Sequence, residues 1–218
     1  MEEPTTTSLS DLSARELVAR LATHEPIPGG GSAAALAGAM GAALVAMVAE
    51  LTIGRPDATE RDAELRELRD NANSHRERLL QLADDDANAY DAVVRARRLP
   101  RESESDKEQR RRAVDAAMVE AAAVPLQTAQ VAAVVLDLAA RIAPIGNRNA
   151  VSDAGVAAQL AATAVRGAIL NVRINLPYLP EGAALSAEAP AELARLTAAA
   201  DEGEGAALSA VERRLEPS

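Results

Sequence analysis

Alanine fills 52 of the 218 positions, and the only aromatic side chains are Tyr90 and Tyr178. Such a chain is poorly supplied with the aromatic residues that favour strands and richly supplied with the strongest helix former. The composition therefore predicts an all-α protein, a helical bundle of about six helices with an Ala-rich core. It also predicts close helix approach, because interaxial distance follows the size of the side chains at the contact. A single domain over residues 1–218 is expected, its tail after about residue 200 the element most prone to fray.

Charge and sulfur content narrow the function. A formal charge of −10 disfavours a general nucleic-acid binder, which needs a basic face. With no cysteine, disulfides, thiolate metal sites and thiol nucleophiles are excluded. Residues 1–10 are acidic and polar, unlike a secretory leader, so a cytoplasmic location is expected. Ala33–Ala49 is an uncharged run close to membrane-spanning length, but no basic cluster flanks its start. It reads as a buried helix of a protein without a membrane partner. Its residues Ala34, Gly38, Ala42 and Ala46 form a small-residue ridge suited to close packing.

Periodicity and breakers divide the chain. A first helix is expected from Ser8 or Ser10 to about Thr23, with Leu12, Leu17, Val18 and Leu21 as its apolar stripe. After the Pro- and Gly-rich loop, a second should span Ser32–Ile53 and bury Leu36, Met40, Leu44, Met47, Val48 and Leu51. Asp57–Arg98 is long, charged and amphipathic, with Leu65, Leu68, Leu79, Leu82 and Val93 inward. A capping box at Ser105–Glu108 should open a fourth helix, which Pro125 kinks or divides. A fifth is expected over Ser152–Ile174 and a last over Pro190–Ala200.

Three polar segments interrupt this scaffold. Gly29, Gly30, Gly31 and Ser32 open the second helix, where free N–H groups and the positive dipole end favour an anionic or carbonyl-bearing ligand. A tight turn between helices explains the glycines equally well. Asn147, Arg148, Asn149, Ser152 and Asp153 open the fifth helix, more polar groups than one cap requires, although Ser152 or Asp153 could simply cap it. Asn171 and Asn175 follow one turn apart on its apolar length, where buried amides need partners that either a polar substrate heterocycle or hydrogen bonds between helices would supply. In the third segment Asp86 and Tyr90 are also one turn apart, within a run that otherwise reads as a solvated acidic face. Arg55, Arg148 and Arg173 flank these segments and suit a carboxylate-bearing substrate. No metal site is expected: His24 and His75 are isolated, and His75 lies in a polar stretch that reads as exposed.

Together, Pro26–Ser32, Leu51–Arg55, Asp86–Tyr90, Gly146–Gly155, Arg166–Ala168 and Asn171–Leu176 resemble the cyclodeaminase/cyclohydrolase family, typified by the C-terminal domain of formimidoyltransferase-cyclodeaminase. The resemblance runs from about Ser8 to Ala200 and departs at Ile27, where a small polar residue is common. It implies an all-helical homodimer acting on tetrahydrofolate one-carbon adducts, with or without a polyglutamate tail, using no metal and no tightly bound cofactor. Members hydrolyse 5,10-methenyl-tetrahydrofolate to the 10-formyl form, or close 5-formimidoyl-tetrahydrofolate with loss of ammonia. On this resemblance Gly29, Gly30, Gly31, Ser32, Asn147, Ser152, Asn171 and Asn175 would hold substrate, and Arg55, Arg148 or Arg173 its glutamate. Asp153 or Asp86, assisted by Tyr90, would move protons. Asp153 stands ahead because it sits at a helix start among amides. Without a transferase domain on the chain, the cyclohydrolase reaction is expected first, cyclodeamination second, and a non-catalytic folate- or partner-binding subunit third.

Overall fold

The computed structural model describes residues 8–216, and among them every regular element is helical. Six α-helices follow in order: α1 (Ala14–Leu21), α2 (Gly30–Glu50), α3 (Asp62–Arg97), α4 (Glu104–Ile142), α5 (Val151–Asn175) and α6 (Ala184–Leu215). Helices α2 to α5 form the bundle. α2 packs chiefly against α3 and α5, α4 lies against α3 and α5, and α6 covers the α4–α5 side.

The second helix overturns most of the expected burial, keeping Val48 inside as expected. Its inward residues are the small ones, among them Ala35, Gly38, Ala39, Gly41, Ala42, Val45 and Ala49, while Met40, Met47 and Leu51 are exposed and Leu36 and Leu44 half-buried. The cause is proximity. A Cβ on Gly41 would lie 2.9 Å from the carbonyl oxygen of Ala157, and one on Gly38 would press on Leu79 and Ala164. At this separation the ridge of Ala34, Gly38, Ala42 and Ala46 fits against its neighbours and the bulky side chains are left outside. On α3 the expected stripe holds: Leu65, Leu68, Leu79, Leu82 and Val93 are all buried.

Other boundaries differ for local reasons. The first helix is a short 3₁₀ turn, Leu9–Asp11, followed by α1, which Ser13 and Glu16 open as a capping box. Of the expected stripe, Leu12 and Leu17 are half-buried against the core, while Val18 and Leu21 are exposed. Ser103 with Asp106, not Ser105 with Glu108, forms the capping box of α4. Pro125 does not divide α4. Proline has no N–H to offer the carbonyl four residues back, and here Asn175 Nδ2 donates to that carbonyl, Ala121, at 2.7 Å. α6 starts before Pro190 and continues through Ala207, Ala210 and Val211, which are buried, so the chain beyond residue 200 is an ordered helix. His75 is half-buried, and burial pushes its imidazole below the usual range.

Candidate active site

The N-terminal end of α2, the C-terminal half of α3 and the C-terminal end of α5 enclose a cleft of about 440 Å³. Its walls include Gly29, Gly30, Gly31, Asp86, Tyr90, Arg97, Met118, Asn171, Asn175 and Tyr178. That volume suits a small organic ligand, and the lining mixes apolar surface with a few convergent polar groups.

Asp84, Asp85 and Asp86 are consecutive in sequence and have three different roles. Asp84 accepts hydrogen bonds from the Ser8 hydroxyl and the Leu9 N–H, tying the first turn to α3. Asp85 binds Arg78 and Gln81 along α3. Asp86 alone enters the cleft, and its Oδ2 lies 2.9 Å from Ser32 Oγ. That hydroxyl is fully buried and also lies 3.0 Å from the carbonyl oxygen of Ala83. A hydroxyl carries one proton. When Ser32 donates to Ala83, only a protonated Asp86 completes the contact, and an ionised Asp86 draws the hydroxyl towards itself. Burial pushes the Asp86 carboxyl above the usual carboxylate range, while the Ser32 hydroxyl and backbone N–H pull it back. The site thus holds a carboxyl that can exist in either protonation state.

The three glycines are not equivalent. None has positive φ, so their role is room rather than left-handed backbone. A Cβ on Gly31 would lie 2.1 Å from Asp86 Oδ1, which makes a side chain there incompatible with the carboxyl's position. A Cβ on Gly30 would meet Asn171 at an ordinary 3.6 Å, and one on Gly29 only the Pro26 carbonyl oxygen, at 3.1 Å. Helix α2 has no side-chain cap, so its first-turn N–H groups face Asp86 and the cleft.

On the opposite wall Asn171 Nδ2 donates to the Gly167 carbonyl, and Asn175 Nδ2 to those of Ala121 and Asn171. Each amide keeps its Oδ1 as an acceptor for a ligand N–H. Asn175 therefore has a structural duty, at the Pro125 gap, as well as a place in the cleft.

The Asn147 segment lies elsewhere. It meets the C-terminal end of α2, about 30 Å from Gly30 along that helix's 21 residues. Asn147 is fully engaged: its N–H donates to Thr52 Oγ1, its Nδ2 to the Leu51 carbonyl, and its Oδ1 accepts from the Asn149 N–H. It caps a 3₁₀ turn, Arg148–Ala150, that runs into α5, so neither Ser152 nor Asp153 is the cap. Arg148 donates to the Glu216 carbonyl and Arg55 to Asp57. Arg173 is exposed on the last turn of α5 and does not line the cleft, although its neighbours Ile174 and Asn175 do. Within one chain, then, Gly29, Gly30, Gly31, Ser32, Asp86, Tyr90, Asn171 and Asn175 converge, and Asn147, Arg148, Ser152, Asp153 and Arg55 gather at the other end. Sequence reasoning missed Arg97. Its spacing from Asp86, Tyr90 and Val93 at i, i+4, i+7 and i+11 was the available signal.

The family model for formiminotransferase-cyclodeaminase matches residues 13–195. The chain belongs to that family. A methenyltetrahydrofolate cyclohydrolase from Methylorubrum extorquens is 42% identical over 163 residues, covering 75% of this chain and 78% of the relative. The formimidoyltransferase-cyclodeaminase of Rattus norvegicus is 36% identical over 169 residues, and the match spans 31% of that longer protein. The crystal structure of a formiminotetrahydrofolate cyclodeaminase from Thermotoga maritima has a TM-score of 0.83 at 26% identity, covering 94% of this chain and 98% of that one.

Proposed function

We propose that this protein is a methenyltetrahydrofolate cyclohydrolase whose proton-moving group is Asp86. The observation that carries the reading is a carboxyl of raised pKa, held against a glycine-opened helix start, in a cleft large enough for a pterin. The 42% identical cyclohydrolase supports the choice of reaction.

In the forward reaction water attacks the carbon bridging N5 and N10, and Asp86 accepts a proton from it. The electron pair of the carbon–nitrogen double bond moves to nitrogen, giving a tetrahedral adduct. Asp86 then returns the proton to N5 as the carbon–N5 bond breaks, and loss of the hydroxyl proton leaves the formyl group on N10. A single carboxyl serving as base and then acid needs a pKa nearer the working pH than an exposed aspartate has. The first-turn N–H groups of α2 stabilise the developing oxygen charge, and Asn171 and Asn175 Oδ1 accept from the pterin N–H edge. Tyr90 borders the reacting centre. No resident cofactor is required, since the folate adduct is itself the reactant.

Loss of the methenyl absorbance on adding protein tests the reading. Catalysed loss supports it, and binding without turnover would leave a folate-binding subunit. Release of ammonia from 5-formimidoyl-tetrahydrofolate would favour cyclodeamination, the activity named for the Thermotoga maritima neighbour.

The reading extends to a cytoplasmic homodimer without a membrane partner. By length and hydropathy alone α2, α4 and the α5 segment could each cross a bilayer, and α2 and α5 share an exposed apolar face. Met40 is 54% exposed, Leu170 64% and Ile174 67%. A second copy covering this face accounts for it without a bilayer. With the two-fold axis normal to the face near Met40, α2 runs antiparallel to its counterpart, and the partner's Asn147–Asp153 end arrives beside Gly30. Light scattering should then give the mass of two chains, and Met40→Glu, which puts a charge on the seam, should shift the protein towards monomer. A monomeric wild type, or an unchanged mass in Met40→Glu, would rule out this arrangement.

A further inference from the structure

We propose that Arg97 is the anchor for the carboxylate tail of the substrate, an inference that rests on the folate reading of the same cleft. Among the described residues Arg97 is the one cation in the lining of the cleft. In a chain with ten more acidic than basic residues, ten of the 22 arginines have ion pairs with carboxylates among the described residues, Arg69, Arg78, Arg166 and Arg195 among them. Arg97 has none among the described residues, and its backbone oxygen accepts a hydrogen bond from Arg110 Nε.

Position fits the role. Asp86, Tyr90, Val93 and Arg97 share one face of α3, and eleven residues return to within about 20° after a rise of about 16 Å. Side chains lean towards the N-terminus of their helix, which from Arg97 is the direction of Asp86. The aromatic amide spacer between the reacting carbon and the glutamate of a folate is roughly two helical turns long, about 11 Å. One end of the substrate at Asp86 therefore sets the other within reach of Arg97, with Val93, Met118 and Ile174 as apolar wall for the ring.

The surrounding field agrees. Residues 95–112, which take in the end of α3, the turn after it and the start of α4, carry eight basic and four acidic side chains. This end of the cleft is thus a local positive pole on an acidic protein, which favours approach of an anion tail-first. The arginines at the other end are already committed, Arg55 to Asp57 and Arg148 to the Glu216 carbonyl.

The test is a cycle between Arg97 and the glutamate itself. Wild type and Arg97→Gln are assayed on 5,10-methenyl-tetrahydrofolate and on the corresponding tetrahydropteroate, which lacks glutamate. The expected result is a KM about tenfold higher for Arg97→Gln on the folate with kcat within twofold, a penalty that falls below twofold on the pteroate, and partial recovery with Arg97→Lys. An equal penalty on both substrates, or none on either, overturns the anchor while leaving the folate reading intact. A wild-type protein that turns over neither substrate removes the folate reading, and the anchor with it.

Discussion

The beginnings of α2 and α5 are written in the same vocabulary, glycine and small polar side chains leading into an alanine-rich run, yet the structure uses them differently. At α2 the N-cap residue Gly29 has no side chain, a glycine leaves room for a carboxyl, and burial pushes that carboxyl above the usual carboxylate range. At α5 Asn147 closes on the Asn149 N–H and on the end of α2, and has no unused hydrogen-bonding atom. A glycine- and amide-rich helix start is therefore a site only where its polar groups lack mutual satisfaction. The contrast predicts catalytic consequences at one end of α2 and chiefly structural ones at the other.

The largest effect should come from Asp86→Asn, with kcat reduced by about 10²–10⁴, the usual worth of general acid–base catalysis. The variant should not lose stability. Because the folded-state pKa of Asp86 is raised, the wild type is most stable below the unfolded pKa and loses stability as pH rises through the folded one. Thermal melts should place Asp86→Asn at or above the wild type at neutral pH, the difference vanishing in acid. Next comes Gly31→Ala, whose Cβ would displace Asp86; misplacement of a reacting group by about 1 Å costs roughly 10²-fold. Gly30→Ala, one residue away, should keep turnover within a few-fold, and equal losses at the two glycines would refute the steric argument.

Smaller effects concern stability. Asn175→Ala leaves the Ala121 carbonyl without a donor at the Pro125 gap and should cost about 1–3 kcal/mol in denaturant titration. Restoring the helical N–H with Pro125→Ala in the same chain should recover much of that loss. Asn147→Ala, removing a cap, should cost about 1 kcal/mol. A kcat loss there as large as at Asp86 would erase the distinction between the two helix starts.

The all-helical architecture was legible because alanine content and the spacing of Leu65, Leu68, Leu79 and Leu82 leave little choice of fold. The buried face of α2 was legible in the ridge of Ala34, Gly38, Ala42 and Ala46, but the outward placement of its largest side chains was not. Periodicity ranks residues by hydrophobicity, whereas helix approach is governed by size, so Gly38 and Gly41 went inward and Met40 outward. Much of the site could be read residue by residue, including the glycine loop, Asp86, Tyr90 and the two asparagines. Its grouping could not, because α2 and α5 run antiparallel and place the two polar helix starts at opposite ends. Nor could sequence predict that Asn175 would serve the carbonyl orphaned by Pro125, a contact across 54 residues of chain.

The central claim is that a carboxyl of raised pKa at position 86 accepts the proton of the attacking water. The pH dependence of kcat/KM for methenyl hydrolysis, corrected for the spontaneous rate, tests it most directly. The rate should climb with pH through a midpoint above that of an ordinary aspartate, and Asp86→Asn should abolish the inflection. A wild-type profile already flat across that range, or an unchanged inflection in Asp86→Asn, would contradict it.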